Sequence, residues 1–85
     1  MEGFEWNPVK NERLRKVRGF GFEEIIKSRL IEIRNHPTRN HQEIMLFEKE
    51  GYIWVVPFVR SGEKLFLKTL YPDRKYTRKF KRGEL

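Results

Sequence analysis

The most apolar stretch of this chain is YIWVVPFVRSGEKLFLKTL, residues 52–70. Two runs of strand-forming residues, 52–59 and 64–70, flank the turn sequence RSGE. Runs of this length on either side of turn residues are typical of a β-hairpin. Pro57 has no N–H to donate to a neighbouring strand, so we expect a bulge there or pairing that stops on one side.

Upstream of the hairpin the pattern predicts two further strands, at residues 31–34 and 43–49. In the second of these strands, apolar side chains point to both faces of the sheet. Ile44 and Leu46 lie on one face, and Met45 and Phe47 lie on the other. Glu50-Gly51 makes a tight hairpin turn into Tyr52. A polar connection at residues 35–42 joins the two strands.

The N-terminal region predicts a helix over residues 8–18. Asn7 is a suitable N-cap, Pro8 fits the first helical position, and Gly19 fits the left-handed residue that ends many helices. Phe4-Glu5-Trp6, before the helix, alternates apolar and acidic residues as a short strand does. We expect one narrow apolar stripe of the helix to be buried, formed by Val9, Leu14 and Val17.

A second, shorter helix is predicted from Phe22 to about residue 29, with Glu23 and Glu24 in its first turn. Its spacing indicates a core face of Phe22, Ile25, Ile26 and Leu30. After the hairpin, residues 73–82 fit one or two helical turns in which Tyr76 and Phe80 dock on the sheet.

These elements predict one α+β domain over residues 1–85. Two N-terminal helices would pack on a small, mainly antiparallel sheet of three to four strands, followed by a short basic C-terminal segment. An 85-residue chain has room for one core and no second domain.

Composition points to an anionic partner. The net charge is +7 and there is no cysteine, which excludes disulfides and thiolate chemistry. No apolar stretch approaches the roughly 18 residues that a membrane helix needs, so we expect a cytoplasmic protein without a membrane partner. A basic surface with no dedicated polyanion is the alternative.

The strongest functional signal is the C-terminal segment, residues 73–82, where six basic residues accompany one acid. Guanidinium groups bind phosphate in bidentate fashion, and Tyr76 and Phe80 belong to a class of side chains that stacks on unpaired bases. A flexible, solubilising tail is the simpler interpretation. Direct entry from a strand and the spacing of the aromatics favour an ordered role.

His36 and His41 lie in the polar connection and are the candidates for general acid–base chemistry near neutral pH. Two histidines without a third ligand are a weak metal signal, and loop histidines are more often ordinary surface residues. No metal site or cofactor is predicted. The motifs for nucleotide hydrolysis and serine chemistry are absent from the sequence.

Two N-terminal motifs resemble the opening of the BrnT toxin family. FEWNPVK, residues 4–10, and GFGFEE, residues 19–24, match the family's FEWD-x-x-K and K-H-G-[VI]-S-F-x-E patterns at the same spacing. Residues 74–77, RKYT, fall where the family has S-A-R-[RK]-A-[TN]. The departures from the family are Asn7 for Asp, Leu14 for Asn, Arg18 for His, Gly21 for Ser, Pro72-Asp73 for Ser-Ala and Tyr76 for Ala.

The resemblance implies a type II toxin with a fold similar to RelE and ParE toxins. It also implies a metal-independent ribonuclease that arrests translation by acting on RNA, either free or on the ribosome. The implied partner is a cognate antitoxin of the BrnA kind, a DNA-binding protein. A non-catalytic basic module that binds nucleic acid or an acidic protein is the alternative function.

Metal-independent RNA cleavage uses the ribose 2′-OH as the nucleophile. It needs a base, cations around the phosphorane and an acid for the leaving oxygen. Arg74 and Lys68 are the candidates for the cations, Tyr76 for the acid or a stacking platform, and His36 or His41 for the base. The candidates for binding flanking RNA are Lys75, Arg78, Lys79, Lys81 and Arg82.

Overall fold

The computed structural model describes residues 3–85. The strands are β1 (Phe4–Glu5), β2 (Arg29–Asn35), β3 (Glu43–Lys49), β4 (Tyr52–Ser61), β5 (Lys64–Leu67) and β6 (Tyr71–Pro72), and the helices are α1 (Pro8–Arg18), α2 (Phe22–Ile25) and α3 (Arg74–Lys81). None of these helices has both the length and the apolar character needed to cross a bilayer.

The six strands form one sheet with the order β1-β5-β4-β3-β2, and β6 also pairs with β4. All pairs are antiparallel except β1 with β5. The hairpin predicted at residues 52–70 is confirmed, with Ser61 paired to Lys64 across a two-residue loop. Glu50 and Gly51 form the other tight turn, and both have positive φ, as a type I′ turn requires.

The expected irregularity at Pro57 is found on one side of β4. Ile44 pairs with Pro57 on the β3 side without interruption. On the other side β5 ends at Leu67, opposite Phe58, and β6 begins at Tyr71, opposite Val55. Residues 68–70 therefore face only two residues of β4, which is a bulge.

The carbonyl of Pro57 accepts a hydrogen bond from the N–H of Lys68 at 2.8 Å. In an antiparallel strand the nitrogen and carbonyl of one residue point to the same neighbour. The missing N–H of Pro57 therefore faces the bulge and leaves the ladder with β3 intact.

Both faces of the sheet are covered, which makes three layers. On one face, α1 and α2 pack with Leu14, Phe22, Ile25 and Ile26 over Phe47, Val56 and Phe58. On the other face, Tyr76 and Phe80 of α3 pack against a second buried cluster. That cluster contains Ile44, Leu46, Ile53 and Val55.

The predicted arrangement of two helices on a three- to four-stranded sheet, similar to RelE and ParE toxins, is wrong. The described residues form a mixed α/β fold with a six-stranded sheet and three helices, and strands dominate. Two of the strands, β1 and β6, contain only two residues each; the short strand expected at residues 4–6 corresponds to β1, whereas β6 is too short to produce a sequence pattern. They exist because distant backbone groups on β5 and β4 pair with them.

The apolar stripe predicted for α1 is also wrong in part. Leu14 is buried, but Val9 and Val17 are each 68% exposed, and the helix instead buries Asn11, which is 3% exposed. The helix itself and its caps are confirmed: the side chain of Asn7 accepts from the amides of residues 9 and 10, and Gly19 is left-handed.

Asn11 is buried because it joins α1 to α2 by hydrogen bonds. Its Oδ1 accepts from the backbone N–H of Phe22 at 2.8 Å, and its Nδ2 donates to Glu23 at 2.7 Å. Gly21 makes this approach possible, because a Cβ atom at that position would lie 2.3 Å from Oδ1 of Asn11. The second helix is shorter than predicted, ending at Ile25, and Leu30 is exposed on β2.

Arg15 adds an ion-pair network to this junction. Its guanidinium lies 2.8 Å from a carboxylate oxygen of Glu23 and 3.0 Å from one of Glu24. Hydrogen bonding from Asn11, and then Arg15, lowers the pKa of Glu23. The backbone N–H of Gly21, and then Arg15, lowers the pKa of Glu24.

Candidate nucleic-acid interface

The basic C-terminal segment is an ordered helix, fixed to the start of β4 by its first turn. Asp73 is the N-cap, accepting from the N–H of Tyr76 at 2.9 Å, and its own N–H donates to the carbonyl of Ile53 at 2.9 Å. The hydroxyl of Thr77 donates to the carbonyl of Asp73 at 2.6 Å and accepts from the N–H of Ile53 at 2.9 Å. These hydrogen bonds fix the first turn of α3 against the sheet.

One groove, of about 320 Å³, runs between α3 and strand β2. Lys75 and Lys79 line it from the helix, and Arg34 lines it from the strand. The guanidinium carbon of Arg34 lies 5.3 Å from the ring centroid of Tyr76, within range of a cation–π interaction. We call this the helix groove.

A second groove, of about 210 Å³, lies where the bulge meets the connection between β2 and β3. Lys68 comes from the bulge, His36 and Arg39 come from the connection, and Tyr71 comes from β6. We call this the central groove. It brings two cations, an imidazole and a phenol together from three separate parts of the chain.

The ring of His36 is oriented by its own loop. Its Nδ1 accepts hydrogen bonds from the backbone N–H groups of Thr38 and Arg39, both at 3.1 Å. Two donors on Nδ1 assign the lone pair to that nitrogen, so in the neutral ring the proton is on Nε2. His36 can therefore donate a hydrogen bond from Nε2.

Tyr71 is the phenol that lines the central groove. Burial is the main cause that raises the pKa of its phenol, and the negative charge of Asp73 raises it further. Arg39 acts in the opposite direction. The phenol is therefore held in its protonated form well above neutral pH.

A third groove, of about 530 Å³, lies beside the same loop, and we call it the outer groove. It shares His36 and Arg39 with the central groove. Arg60 and Glu43 form a bidentate ion pair in its wall, with distances of 2.6 and 3.2 Å. Hydrogen bonding from Arg60 lowers the pKa of Glu43, which keeps this carboxylate charged.

The three grooves adjoin one another, because the outer and central grooves share loop residues and the central and helix grooves share Tyr71. We refer to the three together as the basic cleft. Its size and its row of cations suit a single-stranded polyanion, whose phosphates would follow the basic side chains.

The structure brings some of the predicted site residues to this cleft and leaves others away from it. Those that line the cleft are Lys68, Tyr76, His36, His41, Lys75 and Lys79. Those that do not line any of the three grooves are Arg74, Arg78, Lys81 and Arg82, all of them exposed on or just after α3.

The cleft residues that sequence reasoning missed include Arg34, Arg39 and Tyr71. Arg39 lies between the two histidines, and Tyr71 directly precedes the basic segment, so proximity in sequence to the candidates was an available signal. Arg34 lies two residues before His36, so the same signal was available for it, and it pairs with Glu32 within β2.

Within residues 3–85, no three histidine or carboxylate side chains come together as a metal site. Comparisons of the chain with models of protein families, with curated proteins and with solved structures found no match.

Proposed function

We propose that this protein is the toxin of a type II toxin–antitoxin pair, a cytoplasmic, metal-independent endoribonuclease that inhibits translation. The observation that carries the proposal is the central groove, where His36, Arg39, Lys68 and Tyr71 meet. The N-terminal motifs resemble those of BrnT toxins, and this resemblance supports the toxin–antitoxin part of the proposal. The partner would be a DNA-binding antitoxin of the BrnA kind.

In this proposal Lys68 and Arg39 hold the scissile phosphate. Both side chains are exposed enough to meet a substrate, and both line the central groove. Fixed cations at the point where negative charge develops stabilise the phosphorane, and the loss of one such group typically lowers the rate about 10²- to 10³-fold. Lys75 and Lys79 would bind phosphates of the strand as it leaves along the helix groove.

The protons would be handled by the other cleft residues. Tyr71, the phenol of the central groove, is the acid for the departing 5′-oxygen. His36 donates from Nε2 to a phosphate oxygen, because its Nδ1 is already occupied by backbone donors. His41, in the adjoining outer groove, is then the histidine left to accept the 2′-OH proton.

One observation favours the second candidate, a module that binds RNA without cleaving it. The occupied Nδ1 of His36 removes the histidine of the central groove as a general base. If His41 does not reach the ribose, the basic cleft would hold a strand and leave it intact.

The test is growth arrest on induction, combined with incubation of purified protein with RNA in EDTA. Lys68→Ala should abolish arrest and lower cleavage about 10²- to 10³-fold. Lys16→Ala is the matched control, since Lys16 is exposed on α1, which covers the opposite face of the sheet. Circular dichroism would confirm that both variants are folded.

Cleavage that leaves 2′,3′-cyclic phosphate ends supports the ribonuclease. Growth arrest without cleavage of free RNA supports action on the ribosome. Retention of RNA with neither arrest nor cleavage supports the binding module. Unchanged activity of Lys68→Ala, or no binding of RNA by the wild type, would refute the role given to the central groove.

A further inference from the structure

His36 and Arg39 lie in one short turn of the connection between β2 and β3. The Nδ1 atom of His36 accepts from the backbone N–H groups two and three residues later, both at 3.1 Å. Side chains that accept at these two positions normally do so with an amide, carboxylate or hydroxyl oxygen. In this turn an imidazole nitrogen takes the place of that oxygen.

The start of α1 shows the same arrangement with the usual type of residue. The Oδ1 atom of Asn7 also accepts from the N–H groups two and three residues later, at 2.8 and 3.3 Å. The sequences match as well, since NPVK (residues 7–10) and HPTR (residues 36–39) each place a proline after the acceptor and end on a basic residue. A proline there has a fixed φ and no N–H to satisfy. His36 therefore fixes its turn by the same kind of contact that caps α1.

The turn matters because Arg39 is the cation that it carries. Arg39 lines the central groove, together with Lys68 and Tyr71 from other parts of the chain. Burial raises the pKa of the Tyr71 phenol and the charge of Arg39 acts against it, as a guanidinium on the same groove does. The backbone N–H of Arg39 is one of the two donors to His36, so the acceptor and the cation are joined by one hydrogen bond.

We propose that His36 is a positioning residue, whose Nδ1 closes the turn at residues 36–39 and so places Arg39 against the scissile phosphate. This role needs an acceptor at Nδ1, and it is separate from any hydrogen bond that Nε2 donates to the substrate. The inference deepens the proposed function, since its RNA part rests on Arg39 holding a phosphate. The turn itself can be tested without RNA.

Three substitutions of His36 separate the roles of its two ring nitrogens. The Oδ1 of asparagine takes the position of Nδ1, because both atoms are bonded to Cγ, so His36→Asn keeps the acceptor and loses the Nε2 donor. The amide of glutamine reaches the position of Nε2 instead, so His36→Gln keeps a donor there and loses the acceptor. His36→Ala loses both groups.

Hydrogen exchange of the backbone amides, followed by NMR, tests the turn in the free protein. The N–H groups of Thr38 and Arg39 should exchange at least about tenfold faster in His36→Ala and His36→Gln, because their acceptor is gone. In His36→Asn their exchange should stay within about threefold of the wild-type rate. The nitrogen chemical shifts of the wild-type ring should place its proton on Nε2. His41→Ala, in the same connection, is the matched control and should leave both amides as protected as in the wild type.

Binding of RNA tests the effect on Arg39. The probe is a fluorescein-labelled 2′-O-methyl decauridylate, which cannot be cleaved, and it is titrated by anisotropy at several salt concentrations. Loss of one phosphate contact on a single strand lowers the slope of log K against log salt by about 0.7. We expect this loss in His36→Ala, His36→Gln and Arg39→Gln. His36→Asn should keep the wild-type slope and lower only the cleavage of RNA, because it lacks the Nε2 donor.

A double-mutant cycle tests whether His36 acts through Arg39. In the Arg39→Gln background, His36→Ala should cause no further loss of slope, because the contact that it would remove is already gone. Losses that add would overturn the route through Arg39. Fast exchange of the Thr38 and Arg39 amides in His36→Asn would overturn the role of the acceptor. If the wild type binds no RNA, the proposed function fails, and the exchange rates alone decide whether His36 fixes the turn.

Discussion

Gly21→Ala should destabilise this protein strongly, because the added methyl group collides with a buried amide. Its Cβ would lie 2.3 Å from Oδ1 and 3.1 Å from Cγ of Asn11. Asn11 must then move, and the buried N–H of Phe22 loses its acceptor. The backbone itself contributes no strain, since Gly21 has a φ of −118° that alanine adopts readily.

The expected cost is about 1–3.5 kcal/mol. An unsatisfied buried N–H costs about 1–3 kcal/mol, and weakening the hydrogen bond from Asn11 to the Glu23 carboxylate adds about 1 kcal/mol. The lower chain entropy of alanine in the unfolded state offsets about 0.4–1 kcal/mol. For a domain of this size, the net change corresponds to a fall in Tm of roughly 4–28 °C.

The assay is urea unfolding followed by tryptophan fluorescence, on the wild type, Gly21→Ala, Asn11→Ala and the double variant. In the Asn11→Ala background the obstacle is gone, so Gly21→Ala should cost less than about 1 kcal/mol. The remaining contact, 3.3 Å to Cγ of Arg15, involves a flexible side chain that can shift. An equal cost of Gly21→Ala in both backgrounds would refute the explanation.

Two further predictions concern stability. Thr77→Val should cost about 1–3 kcal/mol in urea unfolding, because the buried N–H of Ile53 loses its acceptor while side-chain volume is kept. Arg15→Met should make the loss of stability in acid shallower. The pKa values of Glu23 and Glu24 lie below 4.5 in the folded state. The stability that these carboxylates contribute is therefore complete above about pH 4.5 and is lost as the pH falls through their lower folded pKa values.

Both predictions have controls within the chain. Thr38→Val, at an exposed position in the loop, should change the unfolding free energy by less than about 0.5 kcal/mol. Arg13→Met, at an exposed position on the same helix as Arg15, should leave the acid limb of the stability profile as steep as in the wild type. A Thr77→Val protein as stable as the wild type would mean that the hydroxyl does not hold α3 to β4.

Much of the local structure could be predicted because the signals are local. The caps of α1 at Asn7 and Gly19, the turn at Glu50 and Gly51, and the hairpin all follow from residues within a few positions of one another. The docking of Tyr76 and Phe80 also followed from helical spacing. In each case the residues that determine a helix or turn lie within it or next to it in sequence.

The failures come from interactions between distant parts of the chain. Hydrophobicity predicted that Val9 and Val17 would be buried, but α1 is placed by the hydrogen bonds of Asn11 to α2, which turn both valines outward. No helical pattern marks an asparagine as a core residue. The strand count was wrong for a similar reason, since β6 is defined only by its pairing with β4.

The sequence predicted the types of residue in the candidate site better than it predicted their arrangement in space. Cations and aromatics near the end of the sheet were expected, and Lys68, Lys75 and Tyr76 do line the cleft. Arg74 does not, because the first turn of α3 directs positions 75, 76 and 79 to the cleft. Which of adjacent helical residues faces a groove depends on how the helix is anchored, and that anchor involves Ile53 of a distant strand.

The proline of the central strand has an effect that reaches beyond the sheet. Opposite Pro57 the neighbouring chain bulges for three residues, and Lys68 is the first of them, with its N–H bonded to the carbonyl of Pro57. Pro57 also lines the central groove, together with Lys68. The missing N–H of Pro57 thus determines the position from which the amine of Lys68 reaches the central groove. The side chain of an arginine or lysine one or two residues further along would point in a different direction.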